Sequence, residues 1–422
     1  MTIAVGAPGP AIAASTRACH PRRMVEALAS PIVHGLRRWP PRLAMLGSVF
    51  SIARAHAPSA RRAFSGAVGL LRGADARFGD RPAPKLARAG GRWFQAPQLP
   101  GWPSPAWDRF IAGELGRYAG FGPPGTLQSV LVAITRACPL RCAHCSEAET
   151  VGKGPDVLTL DDLTRLTGAL VERGVSVIQL TGGEPLSRPE AIEAMARVAV
   201  PLADVWVLTS GFGLDAAMAE RLAAAGVTGI QVSLDHHQAV GHDALRRHAG
   251  AFDRALAGAD HARRAGLAVC LNLVARPGFA ALADLEPYAL LARRLGAQFI
   301  QLLEPRATGA WEGAELALSP AEVAGLEAWS LEMIHRRPDM PLVAYHGFAQ
   351  RRVGCWGAGD RYAFVDPLGR LHACPFCRGS AGSALDDLQG SLERLAARGC
   401  QAFHGAAPGV VRLGAAAGVS AG

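Results

Sequence analysis

The feature that most constrains the fold is a repeated alternation of apolar strands and amphipathic helices that begins at Gln128. Strand-length apolar runs separated by helical patterns are typical of successive βα units with a parallel sheet. The predicted strands are 129–134, 175–180, 205–209, 229–234, 269–274 and 298–303, and the predicted helices are 160–173, 188–200, 214–225, 248–265 and 283–295. The pattern predicts an α/β fold, a partial (βα)6 TIM-like barrel, in which chemistry collects where the strands end.

A dense group of cysteines, Cys138, Cys142 and Cys145, follows the first predicted strand. The chain has nine cysteines in 422 residues, too few for a disulfide scaffold, and most of them fall in ligand-like groups. Three thiolates on one loop can hold three irons of a cubane cluster and leave the fourth iron open to an external ligand. A zinc ion held by these cysteines and His144 is the alternative that the ligand types allow. The CxxxCxxC spacing favours the iron-sulfur cluster.

The second predicted strand leads into Gly182-Gly183-Glu184-Pro185. Two glycines allow a backbone to approach a ligand closely, and Glu184 is suited to accept hydrogen bonds from an ammonium group. A tight turn is the alternative explanation of this short motif. Together, the cysteine spacing and the GGEP motif resemble the radical S-adenosylmethionine (SAM) superfamily. The resemblance implies that the cysteine loop holds a 4Fe–4S cluster and that the GGEP motif binds the amino group of SAM.

Two later strand ends add further matches. Ser210-Gly211 resembles the Thr-Asn-Gly often found in this superfamily, with Ser in place of Asn. Ser233 ends the fourth strand, and a His-Asp-x-x-Arg run ends at Arg246. In relatives with this pattern the Ser and the Arg bind the carboxylate of SAM. The resemblance therefore implies Ser210, Ser233 and Arg246 as cofactor-binding residues, with Arg247 as a competitor and solvent-facing arginines as the alternative.

Four further cysteines lie near the C-terminus, Cys355, Cys374, Cys377 and Cys400. The segment 361–372 is predicted to form a β-hairpin with an Asp-Pro-Leu-Gly turn, which brings the first two of them together. The pattern resembles the opening of the SPASM and twitch auxiliary-cluster domains. It implies one auxiliary 4Fe–4S cluster held by all four cysteines in a shortened domain. Zinc bound by the same four cysteines is the alternative.

The net charge of +9 is concentrated near the N-terminus. Residues 1–95 contain fourteen Arg and one Lys against three acidic side chains, so the rest of the chain is slightly acidic and no nucleic-acid partner is expected. Helical patterns at 24–36 and 42–56 predict a helical extension. One face of the second helix carries Leu43, Leu46, Val49, Phe50 and Ala53. This face suits a membrane surface, packing on the main domain or a transit peptide, and a partly disordered extension is a further alternative.

The sequence is predicted to divide into five parts. These are a basic helical extension (1–95), an aromatic lead-in that docks onto the barrel (96–127), the barrel (128–340), the auxiliary-cluster domain (341–404) and a flexible tail (405–422). No apolar stretch reaches the roughly eighteen residues of a membrane helix, and the first residues lack the positive region of a secretory signal. A cytoplasmic protein is expected.

The resemblance also implies an activity. A reduced cluster would cleave SAM to methionine and a 5'-deoxyadenosyl radical, which would abstract hydrogen from a substrate. A peptide or protein substrate is predicted, with an electron donor such as ferredoxin or flavodoxin as a partner. A role in small-molecule or haem-type cofactor biosynthesis is the alternative. A non-catalytic iron-sulfur or zinc protein is the alternative from another class.

Overall fold

The computed structural model describes residues 30–75, 81–123, 127–355, 357, 361–377 and 379–398. The strands are β1 (Ile32–His34), β2 (Lys85–Ala89), β3 (Arg92–Phe94), β4 (Ser129–Ala133), β5 (Val177–Thr181), β6 (Asp204–Thr209), β7 (Gly229–Ser233), β8 (Ala268–Val274), β9 (Phe299–Leu303), β10 (Leu342–Tyr345), β11 (Tyr362–Val365), β12 (Arg370–His372) and β13 (Gly382–Ser383).

The helices are α1 (Trp39–His56), α2 (Ala60–Asp75), α3 (Pro105–Ala119), α4 (Leu160–Glu172), α5 (Pro189–Ala199), α6 (Ala216–Ala224), α7 (Ala239–Arg246), α8 (Ala251–Arg264), α9 (Leu282–Arg294), α10 (Pro320–His335), α11 (His346–Val353) and α12 (Leu388–Arg398). Short 3-10 helices cover Gly35–Arg38, Pro185–Ser187 and Gly309–Trp311. Among the described helices, none is long and apolar enough to cross a membrane.

A ten-stranded sheet forms the centre of the molecule, in the order β10-β9-β8-β7-β6-β5-β4-β11-β12-β13. The strands from β10 to β11 in this order are all parallel, and β12 and β13 add antiparallel pairs at one edge. The predicted α/β partial barrel is confirmed, since β4 to β9 are the six predicted strands. The structure adds β10 and β11 to the parallel set, and the described sheet stays open.

The outer face of the barrel strands packs on the helices. Val130, Ile178, Val205 and Val269 are completely buried in this layer, as expected for parallel strands that are covered on both faces. Helix α4 begins at a capping box in which Thr159 and the third helical residue exchange hydrogen bonds. The helix predicted at 248–265 begins later, at Ala251, because the chain first ends α7 and turns.

The N-terminal segment closes the end of the barrel where the parallel strands begin. Phe94 places its ring edge-on to Trp206 and Phe299, with ring centroids 6.3 and 6.4 Å apart. Asp204, at the start of β6, accepts a hydrogen bond of 2.8 Å from the Gly101 amide and pairs with Arg92. With this end filled, the opposite end, where the strands finish, is left for the functional site.

The helical extension differs in part from the prediction. Where the predicted helix 24–36 is described, Ile32–His34 is instead a strand of a three-stranded antiparallel sheet with β2 and β3. The predicted helix 42–56 lies within α1. Val49 and Ala53 of its apolar face are buried against α2 and α3, whereas Leu43 is 59% exposed. The described helices of the extension thus pack against one another.

Lys85 of β2 ties the N-terminal segment to α10. Its side chain is fully buried, and Nζ donates hydrogen bonds of 2.7–3.1 Å to four backbone carbonyl oxygens at the end of this helix. The acceptors are the carbonyls of Met333, Arg337, Met340 and Pro341. A cation at a helix C-terminus satisfies carbonyls that have no partner within the helix.

Replacing Lys85 with Met is expected to lower the free energy of unfolding by about 3 kcal/mol, because buried carbonyl oxygens lose a charged donor. Urea denaturation of the two proteins measures the change. Lys153 is exposed, so Lys153→Met serves as the control and is expected to change stability by less than about 0.5 kcal/mol. Equal denaturation midpoints for the Lys85 and Lys153 variants would contradict the anchoring role.

Candidate active site

The cysteine loop starts directly after β4 and is hydrogen-bonded to the GGEP motif along its backbone. The Gly183 amide donates to the Thr135 carbonyl, and the Glu184 amide donates to the Ala137 carbonyl, both at 2.8 Å. These bonds extend the pairing of β4 with β5 past the ends of both strands. The sequence separates Cys138 from Glu184, but the fold makes them parts of one structure.

The two glycines of the motif leave room for this contact. Gly182 has a φ of +146°, and a Cβ atom there would lie 2.4 Å from the Thr135 carbonyl oxygen. At Gly183 a Cβ would lie 2.2 Å from the Ala137 carbonyl oxygen and 3.0 Å from Cys138 Cβ. Real Cβ atoms essentially never come so close to backbone atoms. The sequence analysis assigned this space to a ligand, whereas in the structure the cysteine loop fills it.

Two other segments hold the far end of the loop. The Ala143 amide donates to the Leu245 carbonyl of α7 at 2.8 Å, and the Ala310 amide donates to the Cys145 carbonyl at 2.9 Å. Trp311 lies against the His144 ring, with centroids 5.5 Å apart. The loop is therefore fixed by contacts that follow β5, β7 and β9.

The spacing of the sulfur atoms favours a cluster over one zinc ion. Zinc–sulfur bonds of about 2.3 Å would bring the ligand atoms of one ion to within about 4 Å of one another. In the described residues, one group of three His, Cys, Asp or Glu ligand atoms lies within 4.8 Å, and it consists of His236, His237 and Asp284. In that group His236 Nδ1 already accepts the Gln238 amide at 2.9 Å.

The three cysteines are half-buried and border one cavity. Burial raises the pKa of Cys138 to about 11 and also raises the pKa of Cys145. These thiols are protonated at neutral pH without a metal, so binding iron requires them to release protons. Three sulfurs on one loop that face an open space fit a 4Fe–4S cluster with one iron left for an external ligand.

A buried ion pair lies beside Cys142. Arg246 Nη2 contacts Asp235 Oδ2 at 2.6 Å, and Arg246 Nη1 lies 3.7 Å from the Cys142 sulfur. His144 Nε2 and His242 Nδ1 lie 3.6 and 3.8 Å from the same Asp235 oxygen. Burial opposes ionisation of Asp235, but Arg246 and the two histidines outweigh it and lower the pKa of its carboxyl. A positive charge is thereby held next to a predicted iron ligand.

The alternative of solvent-facing arginines applies to Arg247 and not to Arg246. Arg247 is exposed and ends α7 with a φ of +52°, whereas Arg246 is buried and faces the cavity. Ser233, at the end of β7, borders the same cavity. The structure thus brings the two residues predicted for the SAM carboxylate to one wall.

Glu184 is buried and has four protein donors. Its carboxylate accepts from Thr209 Oγ1 at 2.6 Å, from the Ser210 amide at 2.8 Å and from the Ser210 hydroxyl. The Leu186 amide adds a bond of 3.2 Å at the start of the turn formed by Pro185–Ser187. Burial raises the pKa of Glu184, and these bonds act against it. A ligand ammonium would share Glu184 with these donors, so the side chain also fixes the end of β6.

A cavity of about 650 Å³ joins the predicted sites. Its lining includes the residues of the cysteine loop and Gly182, Gly183, Glu184, Ser210, Ser233 and Arg246. The auxiliary cysteines Cys355, Cys374 and Cys377 lie on the same cavity. Cys400, predicted as their fourth partner, lies outside the described residues. The two predicted cysteine sites therefore share one space.

The hairpin before the auxiliary cysteines is the one predicted from the sequence. Strands β11 and β12 pair antiparallel, and Asp366 in the turn accepts bonds of 2.9 Å from the Leu368 and Arg370 amides. His372 Nε2 lies 3.1 Å from the same carboxylate. Burial would raise the pKa of Asp366, but its hydrogen bonds with His372 and Arg370 outweigh burial and lower it. The turn is thus held by a buried carboxylate two strand ends away from Cys374.

Sequence reasoning missed the contribution of the N-terminal segment to the site. Gln98 borders the cavity and donates a hydrogen bond to Gln301 of β9. Its Nε2 also lies 3.3 Å from His346 Nε2. Glu304, at the end of β9, forms an internal ion pair of 2.7 Å with Arg351. No local pattern marks Gln98, since its partners lie about 200 residues away in the chain.

A partial barrel with three cysteines after its first parallel strand, hydrogen-bonded to a GGEP turn after its second, defines a radical SAM site. In agreement, residues 132–280 match the Radical SAM superfamily. This part of the chain is a radical SAM domain, and the protein is a radical SAM enzyme. Members of this superfamily use a 4Fe–4S cluster and SAM, so the prediction of these two cofactors is confirmed at the level of the family.

Curated relatives differ in the reactions that their names describe. The chain is 28% identical to the AdoMet-dependent heme synthase of Methanosarcina barkeri over 275 residues, which cover 59% of this chain and 77% of that enzyme. It is 38% identical to the GTP 3',8-cyclase of Rhodopseudomonas palustris over 160 residues, which cover 36% of this chain and 46% of the cyclase. The similarity to the cyclase thus spans less than half of either chain.

The fold is also similar to that of SuiB from Streptococcus suis, solved with its precursor peptide SuiA. The TM-score is 0.50 at 14% sequence identity, and the match covers 59% of this chain and 60% of SuiB. At this level of identity the similarity concerns the fold. It agrees with the partial barrel described above.

Proposed function

We propose that the protein reductively cleaves SAM at a 4Fe–4S cluster held by Cys138, Cys142 and Cys145. The observation that carries the proposal is that these three sulfurs face a cavity of about 650 Å³ from a loop bonded to the GGEP turn. When bound, the reduced cluster supplies the electron that splits SAM into methionine and a 5'-deoxyadenosyl radical. An electron carrier such as ferredoxin or flavodoxin is the proposed donor.

The chain's own residues position the cofactor in this proposal. The turn of Gly182, Gly183, Glu184 and Pro185 binds the amino end of SAM, and Ser210 is held beside it by Glu184. Ser233 and Arg246 bind the carboxylate. Because Asp235 fixes the guanidinium of Arg246, the cation needs little reorganisation when an anionic group arrives.

We propose Cys355, Cys374 and Cys377, with Cys400, as ligands of an auxiliary cluster. The three described cysteines border the cavity, and Cys355 Sγ accepts a hydrogen bond of 3.3 Å from the Gly357 amide. Amide hydrogen bonds to sulfur tune the reduction potential of iron-sulfur sites. A second cluster on the same cavity is suited to take an electron from a substrate radical.

A peptide or protein is the substrate class that the charge of the cavity favours. In the described residues, its lining has three arginines, Arg246, Arg306 and Arg361, against four acidic residues, Glu147, Glu184, Asp235 and Glu304. Arg246 and Arg361 are already in ion pairs, with Asp235 and Glu114. A nucleoside triphosphate or another polyanion requires several cations, whereas a peptide backbone requires none. The cofactor-biosynthesis alternative, suggested by the names of the relatives, fits this lining less well.

The test is to measure 5'-deoxyadenosine formation by anaerobically reconstituted, dithionite-reduced protein. Wild type is expected to release it, and Cys142→Ala is expected to lose at least about 10³-fold of this activity, because one cluster ligand is absent. Cys270, a buried residue of β8 outside the cavity, provides the control, and Cys270→Ala should retain the activity. Equal product from wild type and Cys142→Ala would rule out the proposed reaction.

A further inference from the structure

The floor of the cavity is made in part by a segment that precedes the radical SAM domain. Ala96, Gln98 and Leu99 border the cavity together with the barrel residues. This segment is held on both sides, by the Phe94 ring among Trp206 and Phe299 and by the Gly101 amide on Asp204. Gln98 therefore has a fixed position inside the barrel.

The polar groups at this floor are uncharged. Gln98 donates to Gln301 Oε1, and Gln179 Nε2 donates to Ser129 Oγ at 3.2 Å. Burial lowers the pKa of His346, the other neighbour of Gln98, to about 4, so this imidazole is neutral at physiological pH. Neutral side chains at a buried floor select for neutral polar groups, since a charge placed there would lack a counterion.

The amides at the floor offer both kinds of hydrogen-bonding atom. The described contacts occupy Nε2 of Gln98 and Oε1 of Gln301, and no described hydrogen bond uses Oε1 of Gln98 or Nε2 of Gln301. One free acceptor therefore lies next to one free donor. A peptide group needs this combination, because it presents one N–H and one C=O.

We infer that Gln98 and Gln301 bind a backbone peptide group of the substrate, so that the N-terminal segment is part of the active site. The inference rests on the proposed function, because it assumes a peptide substrate in this cavity. Gln98 is thus a substrate-binding residue that lies outside the matched range of 132–280. It acts on substrate affinity and leaves cleavage of SAM in the absence of substrate to the cysteine loop.

The test compares Gln98→Met with wild type, since Met keeps the length of the side chain and removes both hydrogen-bonding atoms. A library of synthetic hexapeptides with blocked ends is the probe, and 5'-deoxyadenosine formation is followed with and without it. In wild type the library is expected to raise the rate. In Gln98→Met, half-maximal stimulation should require about tenfold more peptide, while the rate without peptide stays within about twofold of wild type.

Gln389→Met, on the exposed face of α12, is the matched control and should behave as wild type. Stimulation of Gln98→Met at the wild-type peptide concentration would overturn the role of Gln98. Stimulation of wild type by GTP, or no stimulation by the library, would overturn the peptide class. If wild type forms no 5'-deoxyadenosine under any condition, the proposed function itself fails, which is a separate result.

Discussion

Gly183→Ala is expected to abolish cluster binding by the cysteine loop. The new Cβ would lie 2.2 Å from the Ala137 carbonyl oxygen and 3.0 Å from Cys138 Cβ. The backbone has little freedom to move away, because the amides of Gly183 and Glu184 donate to this loop at 2.8 Å. The loop must shift, and misplacement of reacting groups by about 1 Å costs about 10²-fold in rate.

The iron content of reconstituted protein and the rate of 5'-deoxyadenosine formation measure this effect. The control is Gly325→Ala, since Gly325 lies in α10 and a Cβ there would meet nothing within 4 Å. This control is expected to keep its iron and to gain up to about 1 kcal/mol of stability, because Ala favours a helix more than Gly does. A Gly183→Ala protein with wild-type iron content would show that the loop tolerates displacement.

Arg246→Gln is expected to destabilise the fold by about 3–5 kcal/mol and to impair SAM cleavage. Arg246 is the strongest partner of Asp235, which is 2% exposed, and removal of one member leaves a buried charge without compensation. The substitution also removes the cation beside the Cys142 sulfur. Arg247→Gln, at the exposed neighbouring position, is expected to change neither property.

The double variant Arg246→Gln with Asp235→Asn separates the two effects. Removal of both charges is expected to restore most of the stability, because no buried charge remains, while SAM cleavage stays low. Chemical denaturation and 5'-deoxyadenosine formation give the two readouts. If cleavage recovers together with stability, Arg246 has only a structural role.

The parallel barrel could be predicted because each of its central strands carries its own local signal. Val205–Thr209, for example, is an apolar run that ends at Ser210-Gly211, and the structure places it in β6. Strand β10 has only four residues, and the sequence analysis placed Leu342 in the auxiliary domain. The pairing of β11 with β4 joins residues more than 200 positions apart, and no local periodicity specifies such a partner.

The candidate site was predictable where side-chain chemistry is dense. The cysteine loop, Glu184 and Arg246 stand out by residue type and spacing, and the fold brings them to one cavity. The partner of Gly183 was not predictable, because a glycine indicates a close approach but not the atom that approaches. Gln98 belongs to a segment without a motif, and only the tertiary contact with Gln301 gives it a role.

The parallel pairing of β11 with β4 sets the geometry between the two cysteine sites. Ser129 to Val132 pair with Tyr362 to Val365, so the hairpin before Cys374 continues the barrel wall instead of hanging from a linker. A hydrogen-bonded ladder does not lengthen or swing. The electron-transfer distance between clusters at these two sites would therefore be a constant of the sheet, and substrates of different size must be accommodated by the loops around the cavity.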